Sequence, residues 1–403
     1  MTMATYLIVG NGVAGNTAAE TIRKHDAAGK ILIFAKEKYP FYYIPGLPEY
    51  LSGERPRHRL IIHDEQWYGD NRLELHLETA INRIDAARKL AFASDGKTYS
   101  YDKLLLATGG ISFVPPIKGA GLPGVFTLRT IGDADAIREK AAKSQRLALI
   151  GGGILGLEAG NGLRKLGLEV TVIEFFPRLL PRQMDVPGAA ILQQQMEDMG
   201  FRFHLGATTR EIVRQNDGLL IRLESGEAIE ADMILISAGT RPDLTLAKSL
   251  GLEIDKGVKV DDTMQTGLAD IYAGGDLIEH RGRYYGLWSA AMEQGRVAGA
   301  AMAGRPASYE GTVPSNILKV VGIDLLAAGE IDVEGRLESL VSKDEAQKIY
   351  RKLVLQDNVI IGAILLGDLG GSAGILTAIK KKTDITSCKA DLAAGTLDFA
   401  KLI

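Results

Sequence analysis

Six glycines, in two sets of three, are the residues of this chain whose spacing most directly implies chemistry. Gly10, Gly12 and Gly15 follow the apolar run Tyr6 to Val9, and Gly151, Gly153 and Gly156 follow the run Leu147 to Ile150. Each set has the G-x-G-x-x-G spacing that receives a dinucleotide pyrophosphate between a strand and a helix. The first glycine permits a tight turn, the second lets the pyrophosphate approach the backbone, and the third brings helix against strand. The helix N-terminus then offers unpaired N–H groups and the positive end of its dipole. The surrounding residues echo one another as well: "YLIVGNGVAGNTAAETIRK" from Tyr6 matches "LALIGGGILGLEAGNGLRK" from Leu147 in pattern. A βα unit therefore occurs twice, and two bound dinucleotides are expected.

The two copies differ in the acid that follows. After the second, "LEVTVIE" supplies another strand and ends in Glu174, about 20 residues downstream, where a carboxylate accepts hydrogen bonds from an adenosine ribose. A carboxylate there repels a 2′-phosphate, so NADH is expected over NADPH, although Arg178 and Arg182 are close by. For the first copy Glu37 is the chosen acid, but matching the two strands end to end sets Ala35 opposite Glu174.

Other segments must hold these loops. The apolar runs "DKLLLATGG" (102–110), "ADMILISAGTRPD" (231–243) and "ADIYAGGD" (269–276) read as buried strands ending in small-residue turns. A helix rich in Gly and Ala follows over 289–304, and Pro and Gly crowd 115–124, where a domain crossing is expected. Beyond Pro314 the pattern changes to strand-like runs over 351–368 and a helix ending in "IKKK". With 403 residues, several domains are expected. A net charge of −3 removes any global attraction to nucleic acid or anionic membrane. The single cysteine, Cys388, excludes an internal disulfide, and the six histidines lack metal-ligand spacing. The longest apolar stretches, such as "VIIGAILLG" at 359–367, fall short of the ~18 residues of a membrane span. A cytoplasmic location is expected.

The two fingerprints with "LLLATGG", "ISAGTRPD" and "IYAGGD" in this order make the chain resemble the FAD-dependent pyridine nucleotide reductases of the glutathione-reductase structural type. The resemblance implies an α/β fold of two Rossmann-like dinucleotide-binding domains, the NAD domain inserted in the FAD domain, with a C-terminal α+β domain. The expected boundaries are 1–112 with 245–314 for FAD, 113–244 for NAD(P)H and 315–403 for the tail. Besides Glu37, chosen from the fingerprint, it assigns FAD to Gly10, Gly12, Val13, Ala14, Gly15, Thr108, Gly109, Asp276 and Trp288. It assigns NADH to Gly151, Gly153, Ile154, Leu155, Gly156, Glu158, Glu174 and Gly239, with Glu158 on the nicotinamide side. Asp276 alone would read as a helix N-cap or turn residue, and Trp288 alone as a packing residue.

Subgroups of that family differ in how electrons leave the flavin. Disulfide reductases use a CxxxxC pair, and coenzyme A disulfide reductases and water-forming NADH oxidases use one cysteine near position 43, whereas this chain has "YYIPGLPEYLSG" at 42–53. No thiol relay is expected, so electrons leave singly to a protein acceptor. The segments "LPEYLSG", "WSAAMEQGRVAG" and "VPSNILKVVGIDLLAAGEI" look most like NAD(P)H:rubredoxin oxidoreductases, and next like the flavin domains of assimilatory nitrite reductases. The expected activity is NADH-dependent reduction of rubredoxin or a similar small acidic protein. Lys380, Lys381 and Lys382, with Arg351, Lys352 and Lys389, are the candidates to steer it. The alternatives are an electron-input component of a nitrite reductase, an NADH oxidase, or a flavin- and NADH-binding sensor.

Overall fold

The computed structural model describes residues 3–312 and 315–393, and the chain divides into two compact units. The first comprises residues 1–44, 56–111 and 240–312, and the second 45–55, 112–239 and 313–403.

The first unit is built on a five-stranded parallel sheet in the order Ile271–Ala273, Lys103–Leu106, Thr5–Val9, Lys30–Phe34, Leu73–His76. "YLIV", "KILIF" and "KLLL" are continuous rather than alternating apolar runs because both faces of such a sheet are covered. Leu7, Ile8, Ile31, Ile33, Leu104 and Leu105 are fully buried, each stabilising the fold by about 1.5–3 kcal/mol. The helix Val13–His25 buries Ala18, Ala19 and Ile22 and packs on the long helix Trp288–Met302. Close approach there requires glycine: a Cβ on Gly295 or Gly299 would run into the carbonyl oxygens of Ala14 and Ala18. A three-stranded antiparallel meander, Ile81–Asp85, Leu90–Ala93 and Thr98–Ser100, accompanies the sheet.

The second unit repeats this plan. Its parallel sheet runs Arg202–Leu205, Glu169–Glu174, Arg146–Ile150, Met233–Ile236 and the short Val125–Phe126. Its own meander consists of Thr209–Gln215, Gly218–Leu223 and Ala228–Ala231. The duplication is thus larger than the glycine motifs alone indicate, since each sheet carries a meander inserted before its "LLL" or "ILI" strand.

The tail of the second unit is an antiparallel sheet in the order Ser315–Val320, Ile323–Gly329, Val359–Leu366, Ile349–Gln356, Glu338–Asp344. The helix Ser372–Lys381 covers it through Ile375, Ala378 and Ile379. "VIIGAILL" is the buried strand Val359–Leu366; no helix among the described residues is long and apolar enough to cross a membrane. This tail is fastened by Asp185, the N-cap of the helix Val186–Asp198. Its Oδ2 accepts the Tyr350 hydroxyl at 2.6 Å and lies 3.3 Å from Lys352 Nζ. Lys352, expected on a basic surface, is therefore a buried partner of Asp185 that also donates to the Asp332 carbonyl at 2.9 Å.

Candidate functional site

The first glycine loop is shaped from behind by backbone. Gly10 has φ +120° and faces the Ala107 carbonyl so closely that a Cβ would overlap it, while its N–H donates to Phe34 O at 2.9 Å. Gly15 is pressed on the Gly10 carbonyl and on Ile8. Gly12, the N-cap of the helix Val13–His25, differs: a Cβ there would meet nothing within 4 Å. Two glycines are thus demanded by packing and one by open space, as a ligand approaching the backbone requires. Val13 and Ala14 open the helix. Behind them the fully buried Asn16 donates to Asn11 Oδ1 at 2.9 Å and to the Asn11 and Gly12 carbonyls at 3.0 Å. The Tyr68 hydroxyl lies 2.9 Å from Asn11 Oδ1 and 2.7 Å from Asn16 Oδ1, and burial raises its pKa. Among the described residues the buried Asn11 Nδ2 finds no partner, a donor suited to an anionic ligand at this loop.

The second loop repeats the geometry. Gly151 has φ +113°, donates to Ile173 O at 2.8 Å and abuts the Ser237 carbonyl; Gly156 sits where a Cβ would be 2.9 Å from Ser237 Cβ; Gly153 again faces open space. Ile154 and Leu155 begin the helix Ile154–Lys165. Two residues beyond the closing carbonyls lie Gly109 (φ +68°) and Gly239 (φ +95°), one for each loop. Because the loop N–H pairs with Phe34 O in one copy and Ile173 O in the other, Ala35 is the structural counterpart of Glu174. Glu174 is only 6% exposed, and its carboxylate accepts Gly152 N–H at 2.5 Å and Phe176 N–H at 2.8 Å. It braces the loop from within, a use that its spacing alone did not reveal. Glu37, two residues past Ala35, accepts the Tyr42 hydroxyl at 2.7 Å.

Of the remaining flavin-side candidates, Thr108 and the turn that carries Asp276 lie beside the first loop. Thr108 Oγ1 donates to Asp243 O at 3.1 Å, and Asp243 N–H returns a bond to Gly109 O at 2.9 Å. Asp276 follows the strand Ile271–Ala273, and its Cβ lies 3.6 Å from where Gly110 would carry one. No helix starts at Asp276, because the strand Ile278–His280 intervenes before the helix at Trp288; Asp276 is a turn residue between two strands rather than an N-cap. The intervening Gly275 N–H is held by Gln294 Oε1 at 2.9 Å. Trp288 stacks on Phe41 at 5.7 Å and meets Tyr43 edge-on at 5.4 Å. Asn11, Asn16, Tyr68 and Gln294 were not singled out from sequence; an Asn in the first turn of a buried helix was the one local signal.

The duplicated loops, the acid braced into the second and the strand order that carries them form a duplicated Rossmann-like plan, and the pyridine nucleotide-disulphide oxidoreductase family matches residues 4–295. The chain belongs to this family. The rubredoxin NAD+ reductase C-terminal domain matches residues 314–383. A nitrite reductase [NAD(P)H] of Bacillus subtilis (strain 168) is 36% identical over 384 residues, 94% of this chain and 48% of that protein. A rubredoxin-NAD(+) reductase of Pseudomonas putida is 36% identical over 282 residues, covering 70% of this chain and 73% of the other. The crystal structure of NADH:rubredoxin oxidoreductase from Clostridium acetobutylicum superimposes with a TM-score of 0.83 at 28% identity, covering 98% of this chain and 99% of that one. The chain spans about half the length, or less, of the first curated relatives it matches.

Position 43, where the resemblance puts the lone cysteine of some members, is Tyr43 against Trp288. Residues 45–55 are held instead by Tyr50 Oη to Asp135 Oδ1 at 2.5 Å, Arg138 to Tyr50 O at 3.1 Å and Lys165 to Glu54 at 2.5 Å. Cys388 packs against the core of the tail sheet.

Proposed function

We propose that the chain is an NADH-dependent flavoprotein reductase with FAD on the first loop, NADH on the second, and a one-electron protein acceptor of rubredoxin type. The observation that carries this reading is the unequal pair of loops: equal in backbone, with an acid braced into only the second. Gly10, Gly12, Val13, Ala14, Gly15, Thr108, Gly109, Asp276 and Trp288 would hold the flavin cofactor, which when bound takes up a hydride and yields electrons one at a time. Glu174 favours NADH. Arg178 does not oppose it, because its guanidinium is committed to the carbonyls of Pro181 at 2.9 Å and Met184 at 3.2 Å, leaving Arg182 as the exposed arginine of that loop.

The lack of a second cysteine and the placing of Cys388 in the tail support single-electron exit over a thiol relay. Of the basic residues considered for docking, Arg351 is bonded to Asp368, Lys352 is buried, and Lys389 pairs with Glu338 at 2.8 Å. Lys380, Lys381 and Lys382 are exposed at the end of the helix Ser372–Lys381 and are the proposed steering charges for an acidic iron-sulfur protein. A second reading, an electron-input component for a nitrite reductase, is supported by the 36% identity to the nitrite reductase of Bacillus subtilis.

The test is anaerobic. The protein should carry or take up FAD, be bleached by NADH faster than by NADPH, and then reoxidise with rubredoxin; fastest reoxidation by nitrite or oxygen would select an alternative. A colourless protein unable to take up FAD overturns the proposal.

A further inference from the structure

The strands Ser315–Val320 and Ile323–Gly329 are joined by the two-residue turn Val321–Gly322, with Val320 paired to Ile323. Both turn residues are left-handed, at φ +57° and +85°. Asn-Gly is the usual occupant of such a turn, and a β-branched residue there is strained by roughly 1–3 kcal/mol. The first N–H of the turn points out of the ladder. Val321 is 4% exposed, so that N–H would be buried without a partner were it not taken by Glu158 Oε1. Glu158 stands on the helix whose glycine-rich start forms the second loop, two residues beyond Gly156.

We propose that Val321 is a positioning residue for Glu158: its N–H, held out by the strained turn, fixes the orientation of the carboxylate on the nicotinamide side of the second loop. The inference rests on the reading that this loop receives NADH. Strain in a turn persists where its surroundings over-determine it, and the carboxylate does so here. Burial raises the pKa of the Glu158 carboxyl, and the Val321 N–H opposes that rise. Lys165 on the same helix also favours the ion, whereas Glu49 and Glu54 from the neighbouring segment disfavour it. Without the Val321 bond, Glu158 would take up its proton at higher pH, and the charge beside a cationic NAD+ ring would be lost sooner on acidification.

The test measures NAD+ binding to the FAD-loaded full chain by calorimetry from mildly acidic to neutral pH. The wild type should show an affinity that falls as Glu158 protonates, and Glu158→Gln should flatten that profile. Val321→Pro removes the N–H and cannot adopt the turn; it should move the midpoint up by about one pH unit, roughly tenfold in proton affinity. Val321→Asn keeps the N–H and suits the turn, so its midpoint should stay. A midpoint unchanged in Val321→Pro, or moved as far by Val321→Asn, overturns the proposal. Should Val321→Pro fail to fold, hydrogen exchange decides: Glu158→Ala should speed exchange of the Val321 amide at least about tenfold in the absence of NAD+, and an unchanged rate overturns the assignment. Absence of NAD+ binding at every pH would instead defeat the underlying reading of the second loop.

Discussion

The two glycine loops have one backbone and two kinds of brace. Around the second, a single carboxylate, Glu174, closes on Gly152 and Phe176 N–H groups. Around the first, the equivalent position is Ala35, and neutral groups do the work: Asn11 in the loop itself, Asn16 in the helix that follows, and Tyr68 from a distant segment. The difference teaches that the acid after a G-x-G-x-x-G strand has two tasks, meeting a ribose and stiffening the loop. A copy lacking it must obtain the second from elsewhere.

The comparison breaks most sharply at the paired glycines Gly10 and Gly151. Each has φ near +115° and each faces a carbonyl that a Cβ would strike, so alanine should cost more than about 3 kcal/mol locally. Gly10→Ala should yield protein without flavin, whereas Gly151→Ala should retain flavin absorbance yet fail to be bleached by NADH. Equal loss of flavin in both would show that the loops are not separate sites. Glu174→Ala comes next. It strands two N–H groups, at about 1–3 kcal/mol each, and should weaken NADH at least tenfold by titration, narrow its advantage over NADPH, and leave FAD affinity unchanged. Unchanged NADH and NADPH constants would refute both its roles. Smaller again is alanine at Gly12 or Gly153, where open space receives the Cβ. Tm should stay within what ~1 kcal/mol allows, while FAD affinity falls in the first variant and NADH affinity in the second.

How far these features were legible in the chain depends on how local their causes are. The loops and the parallel strands were readable because tight turns demand glycine and two-sided burial demands continuous runs such as "KILIF". The equivalence of Ala35 and Glu174 also followed from strand ends alone. The meanders were not read, since "TYS" at Thr98–Ser100 and "AIEA" at Ala228–Ala231 carry too few residues for a period to show. Lys352 reads as surface because lysine ordinarily is. Its burial depends on Asp185, far away in sequence. Tyr68 carries no signal for the same reason: it reaches Asn16 across 52 residues, and no spacing rule links them.

That long-range brace supplies the finest test of the difference between the loops. Tyr68→Phe removes one hydroxyl from a network in which Asn16 keeps its bonds to Asn11 and Gly12, so the loop should loosen rather than collapse. Phe41 N–H, which donates to that hydroxyl at 3.3 Å, and Asn16 Oδ1 lose a partner, at a net cost of about 1 kcal/mol. The expected result is a several-fold faster release of FAD on dilution, with NADH affinity unchanged because the second loop is braced by its own carboxylate. Faster loss of NADH together with FAD would mean that the two braces are coupled, and the contrast between a neutral and a charged support would no longer explain how the loops differ.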